Sequence, residues 1–136
     1  MGRTLYALVV FFAVAIGCSS GPNEANRRGV GADCSATVHC SETGQVCLTE
    51  FNGGYCGISG CHHDTDCPQG SACVTDDNQT NYCFLVCAAK TDCNLNRTAA
   101  DESDCTSSLT FVDGTMNRKV CRPPLSGTGP VDASAD

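Results

Sequence analysis

Residues 61–83 read Cys61-His62-His63-Asp64-Thr65-Asp66-Cys67-Pro68-Gln69-Gly70-Ser71-Ala72-Cys73-Val74-Thr75-Asp76-Asp77-Asn78-Gln79-Thr80-Asn81-Tyr82-Cys83, four cysteines threaded through turn-forming polar residues. The pattern recurs on both sides. Cys34, Cys40, Cys47 and Cys56 precede it; Cys87, Cys93, Cys105 and Cys121 follow with longer gaps, and every copy opens with C-x5-C. Self-similarity on this scale marks a chain built from repeated units. Three four-cysteine modules are therefore expected, at 34–56, 61–83 and 87–121.

Thirteen cysteines in 136 residues, with no tryptophan, are the composition of a disulfide scaffold. Large apolar residues between Cys34 and Cys121 are few and scattered, so the sequence predicts bridges in place of a sizeable core, each contributing about 2–4 kcal/mol. The expected fold class is a small disulfide-rich protein with short β-hairpins, irregular loops and little helix beyond the signal peptide. Twelve module cysteines imply six bridges. Four cysteines allow three pairings per module, and spacing alone does not choose among them. The interleaved pairing, first with third and second with fourth, is preferred because it ties the opening loop to the hairpin that follows.

Bridges persist in an oxidising compartment, which points to export. The amino terminus agrees. Arg3 precedes an apolar run from Leu5 to Ile16, about a dozen residues long, which suits a signal peptide over 1–17 and is too short to span a bilayer. Ala15-Ile16-Gly17-Cys18 resembles the bacterial lipobox, in which the cysteine is lipidated and becomes the new amino terminus. Cys18 is also the odd cysteine left by the six bridges, and Ser19 after it favours outer-membrane sorting. A secreted protein cut after Ala13-x-Ala15 is the alternative. Residues 18–33, rich in Gly, Pro, Asn and Ser, read as a flexible tether some tens of ångströms in reach, and 122–136 as a disordered tail.

Within the modules, Asn52-Gly53-Gly54, Asp76-Asp77-Asn78 and Asp113-Gly114 are candidate hairpin turns between the third and fourth cysteines. Leu109, Phe111, Met116 and Val120 alternate well enough for a two-stranded ribbon in the third module. That module departs from the others through an insertion, Arg97 to Asp104, a candidate recognition loop. Asp66 and Asp92, just before the second cysteine of their modules, read as turn-makers accepting backbone N–H bonds, and His39 holds their place in the first module.

Rival chemistries are weak. Spacings of x5 and x6 do not fit zinc knuckles, His62-His63-Asp64-x-Asp66 is at most a surface metal site, and Asp64-Thr65-Asp66 lacks the remaining EF-hand ligands. Asp101, Glu102 and Asp104 could hold a cation only weakly. Neither a G-x-S-x-G nor an H-E-x-x-H pattern occurs, so no catalytic residue, cofactor or enzymatic activity is expected. A net charge of −7 without a run of basic residues disfavours nucleic acid as a partner.

Taken together, the lipobox cysteine, the Pro/Gly/Ser tether and repeats of the form C-x4-D-C-x2-G-x2-C plus a fourth cysteine resemble the cysteine-rich lipoproteins of myxobacteria. The module itself is similar to the Dickkopf amino-terminal cysteine-rich region. The resemblance implies a palmitate-type lipid on Cys18, bridging of the other twelve cysteines and attachment to a bacterial outer membrane or cell surface, with a protein or glycan as ligand. A soluble, unlipidated cysteine-rich ligand or inhibitor is the alternative function, and a metal-storage protein with reduced thiols a third.

Overall fold

The computed structural model describes residues 24–114 and 117–127. Each C-x5-C loop closes around one short helical turn: Thr37–His39, Asp64–Asp66 and the α-helical Lys90–Cys93. The residue before the second cysteine makes that turn. Asp66 Oδ2 accepts the N–H groups of His62 and His63 at 2.8 and 3.0 Å, and Asp92 Oδ2 those of Ala88 and Ala89 at 2.9 Å each. In the first module His39 Nδ1 accepts the Ser35 N–H at 3.3 Å and takes the same place. The aspartates are turn-makers, and the histidine is their substitute.

All three modules use the interleaved pairing: Cys34–Cys47 with Cys40–Cys56, Cys61–Cys73 with Cys67–Cys83, and Cys87–Cys105 with Cys93–Cys121. The third and fourth cysteines of each module are cross-strand partners. Cys47 faces Cys56 between β1 (Val46–Cys47) and β2 (Cys56–Gly57). Cys73 faces Cys83 between β3 (Ser71–Thr75) and β4 (Asn81–Cys87), and Cys105 faces Cys121 between β5 (Asp104–Thr106) and β7 (Lys119–Arg122). Each bridge then runs from this ladder back to the opening loop. A two-stranded ladder, marginal alone in water, is thus held at both strands.

The third module does not keep its ribbon to itself. β6 (Thr110–Phe111) pairs with β3 of the second module, and β7 pairs with β4 as well as β5, giving one antiparallel sheet in the order β5-β7-β4-β3-β6. This corrects the self-contained hairpin expected around Asp113-Gly114; Met116 lies outside the described residues. Only residues 107–109 join the two edge strands. Four strand spacings would hold the edges of a flat sheet about 19 Å apart, whereas Thr106 and Thr110 can be at most about 14 Å apart. The sheet therefore curls until its edges approach.

The curl encloses a core, which the scattered apolar residues did not suggest. Phe51, Tyr55, Tyr82 and Phe84 pack ring against ring at 5.1–6.0 Å, mostly edge to face, with Val74, Val120, Leu48 and Leu109 around them. Such aromatic contacts add roughly 0.5–1.5 kcal/mol each beyond the area they bury. Every module contributes to this cluster. On the other face of the sheet, Cys61, Cys73 and Cys83 form a second, smaller cluster with Ile58 and Val112.

The described part of the expected tether is folded as well. α1 (Glu24–Arg27) places Ala25 fully inside the core, and the Ala25 N–H bonds to Gln69 O at 2.8 Å. Val30 is buried, Arg28 O accepts from Gln45 and Ser41, and Gly31 and Ala32 exchange backbone bonds with Cys56. At the other end, Pro123 is buried, Leu125 bridges to Phe51, and Ser126 N–H reaches Glu50 O at 2.7 Å. The core needs these few apolar residues, and that is why both flanks are drawn in. Among the described residues, no helix is long and apolar enough to cross a membrane.

Candidate binding surface

The inserted loop of the third module is mostly exposed, but its first side chain turns inward. The Arg97 side chain is fully buried and donates to four carbonyls: Asp101 O at 2.6 Å, Asn52 O at 2.7 Å, Gly54 O at 2.9 Å and Gly31 O at 3.0 Å. Asp33 Oδ1 lies 3.3 Å away, and the guanidinium sits 6.0 Å from the Tyr55 ring. Burial lowers the Arg97 pKa, opposed chiefly by Asp33, and pushes the Tyr55 hydroxyl up, where it accepts the Leu85 N–H at 3.0 Å. Arg97 thus ties the amino-terminal segment, the first module and the third module together. Asp104 and Glu102 are engaged too, flanking Lys90 at 3.1 and 3.0 Å and raising its pKa.

The histidine and aspartate cluster of the second module is also occupied. Asp64 accepts the Cys73 N–H and pairs with Arg118, which lies over the Phe111 ring. Asp66 is taken by two backbone N–H groups, which hold its carboxyl below the usual range. His63 pairs with Asp113 at 3.0 Å, a contact that raises the imidazole pKa. Asp113 is lowered in turn, first by the Asp64 N–H and then by His63. These side chains fasten the second module to the turn after β6, and they are not gathered around a common point.

Three sets of cysteine sulfurs do converge within 4.8 Å, one per module: Cys34, Cys40 and Cys56; Cys61, Cys67 and Cys83; Cys87, Cys93 and Cys121. They converge because the two bridges of a module stack on each other. Paired sulfurs offer no thiolate, and a metal would require one. Cys18 lies outside the described residues.

A concavity lies beside β5 and β7. Asp104 is the cross-strand partner of Arg122, and Thr106 of Val120. Their side chains share a face, and because Val120 is fully buried that face is the one turned to the core. A cavity of about 400 Å³ opens there, lined by Asp77, Asp104, Thr106, Arg122, Pro123 and Leu125 among others. A smaller one of about 240 Å³ adjoins it across Asp77 and Ser108. Arg122 forms the floor, with Nε 2.7 Å from Asp76 Oδ1 and a second nitrogen 2.8 Å from Asp77 Oδ2. Asp76 is wholly buried, a position tolerable for a carboxylate beside a cation.

The lining offers exposed carboxylates, hydroxyls and a Pro-Leu wall, but no histidine, thiol or amine. The triad has no counterpart in the sequence reading, and Arg97, the first residue of the candidate recognition loop, turns out to bind the protein's own backbone. Asp76-Asp77 read only as a turn, and an arginine next to the last cysteine carries no local signal of where its side chain goes.

No protein-family model matches the chain, and no curated protein or solved structure is found similar to it.

Proposed function

We propose that this chain is an exported lipoprotein, anchored through Cys18 to the outer membrane or surface of a bacterial cell, whose stapled unit presents a surface for a protein or glycan ligand. The observation that carries the reading is cysteine arithmetic. All twelve cysteines among the described residues pair with one another, which leaves Cys18, directly after Ala15-Ile16-Gly17, as the one cysteine of the sequence not used in a bridge. The concavity beside β5 and β7 supplies the recognition surface in this reading. Pre-organisation by six bridges lowers the entropy that binding must overcome.

The test is the intact mass of the membrane-extracted protein without reduction. A species beginning at Cys18, heavier by two or three acyl chains and lighter by twelve hydrogens, is the expected result. A soluble, unacylated species would overturn the anchor and favour a secreted ligand or inhibitor. Twelve titratable thiols would instead favour metal storage.

A further inference from the structure

The fold begins much earlier than the composition of residues 18–33 suggests. Glu24 opens α1, Ala25 is at 0 % exposure, and backbone and side-chain bonds tie residues 25–33 to Gln69, Gln45, Cys56 and Asn96. Only residues 19–23 separate Cys18 from this folded edge. Six steps of chain reach about 20 Å at full extension, and a flexible chain of that length averages roughly 13 Å. A folded unit of about 100 residues has a radius of gyration near 13 Å. The leash is therefore no longer than the body it holds.

The charge at the point of attachment suits such proximity. Arg27 bonds to Glu24 at 2.7 Å and lies 3.7 Å from Glu42, while Arg28 bonds to Glu24 at 2.9 Å, so this neighbourhood is balanced. The chain as a whole carries −7, so its excess negative charge lies elsewhere. An anionic headgroup layer would repel the rest of the molecule and tolerate this edge.

Resting on the lipid-anchor reading, we propose that the protein docks edge-on against the lipid headgroups, through the surface around Arg27, Ser41, Thr43, Gly44 and Gln69. These residues are exposed, and they border the segment to which the leash attaches. The partner is the bilayer surface itself. The lipid then fixes an orientation as well as a location.

The experiment uses the full lipidated chain in vesicles of mixed zwitterionic and anionic lipid. A fluorophore on a non-natural azido side chain at position 43 leaves the disulfides untouched, and an acceptor dye is placed on the headgroups. Efficient energy transfer is expected, falling several-fold when fifteen Gly/Ser residues are inserted between Asn23 and Glu24. Transfer equally low in both proteins would overturn the docking while leaving the anchor intact. An intact mass from the same sample reads the anchor separately, and an unacylated chain would overturn both.

Discussion

Arg97 and Gly54 show how much of this fold depends on single residues outside the cysteine pattern. Removing the Arg97 guanidinium would deprive the carbonyls of Gly31, Asn52, Gly54 and Asp101 of its donors and Asp33 of its charge partner, around a side chain that is itself fully buried. Breaking such a buried charged network costs about 3–5 kcal/mol. Arg97→Met is therefore expected to lose stability on that scale in non-reducing denaturant unfolding. Arg97→Lys should recover only part, because an ammonium cannot fan its donors across four carbonyls. Gly54 sits at φ +69°, where an added Cβ would fall 2.0 Å from Cys34 O. Gly54→Ala should prevent correct oxidative refolding, seen as scrambled disulfides in a peptide map. Gly60→Ala is the control: φ is +78° but nothing lies within 4 Å, so only the backbone penalty of about 1–2 kcal/mol applies.

At the scale of elements, the turn after β6 is fastened to the opening loop of the second module by a contact that responds to pH. Asp113 raises the His63 pKa above its ordinary 6.5. The folded state thus binds the proton more tightly than the unfolded chain. The stabilisation is complete below 6.5 and is lost as pH rises through the raised value. Asp113 works in the opposite sense. Its depressed pKa gives a contribution present above the ordinary carboxylate value and lost as pH falls through the lowered one. Melting temperature against pH should therefore differ between wild type and His63→Gln on the acid side of neutrality, and the two curves should converge on the alkaline side. Both groups are largely exposed, so the difference should shrink with added salt. Parallel curves across the whole range would show that the pair contributes nothing.

Among the described residues the three stapled modules share one core rather than folding side by side. Aromatic side chains from the first and second modules, Val120 from the third and Ala25 from the leading segment share a core, and one sheet runs through the second and third modules. Calorimetry without reductant is expected to show a single transition whose calorimetric and van't Hoff enthalpies agree. Residues 61–83 alone, oxidised to the same two bridges, should lack that transition, because Phe84 and Val120 are cut away from Val74 and Tyr82. Separate transitions for separate modules would contradict the shared core.

The repeat, the six-bridge scaffold, the turn-making role of Asp66 and Asp92 and the interleaved pairing were all within reach of the sequence, because they depend on spacings inside one module. A loop of five residues, a carboxylate beside free N–H groups and two cysteines across a ladder are local facts. The curl of the sheet, the docking of residues 24–33 and 122–127, the inward turn of Arg97 and the Asp76–Arg122–Asp77 triad depend on which module lies beside which. No spacing encodes that. A handful of scattered apolar residues reads as no core when each module is counted alone, and becomes one only when tertiary structure pools them; the same pooling forms the concavity proposed for recognition.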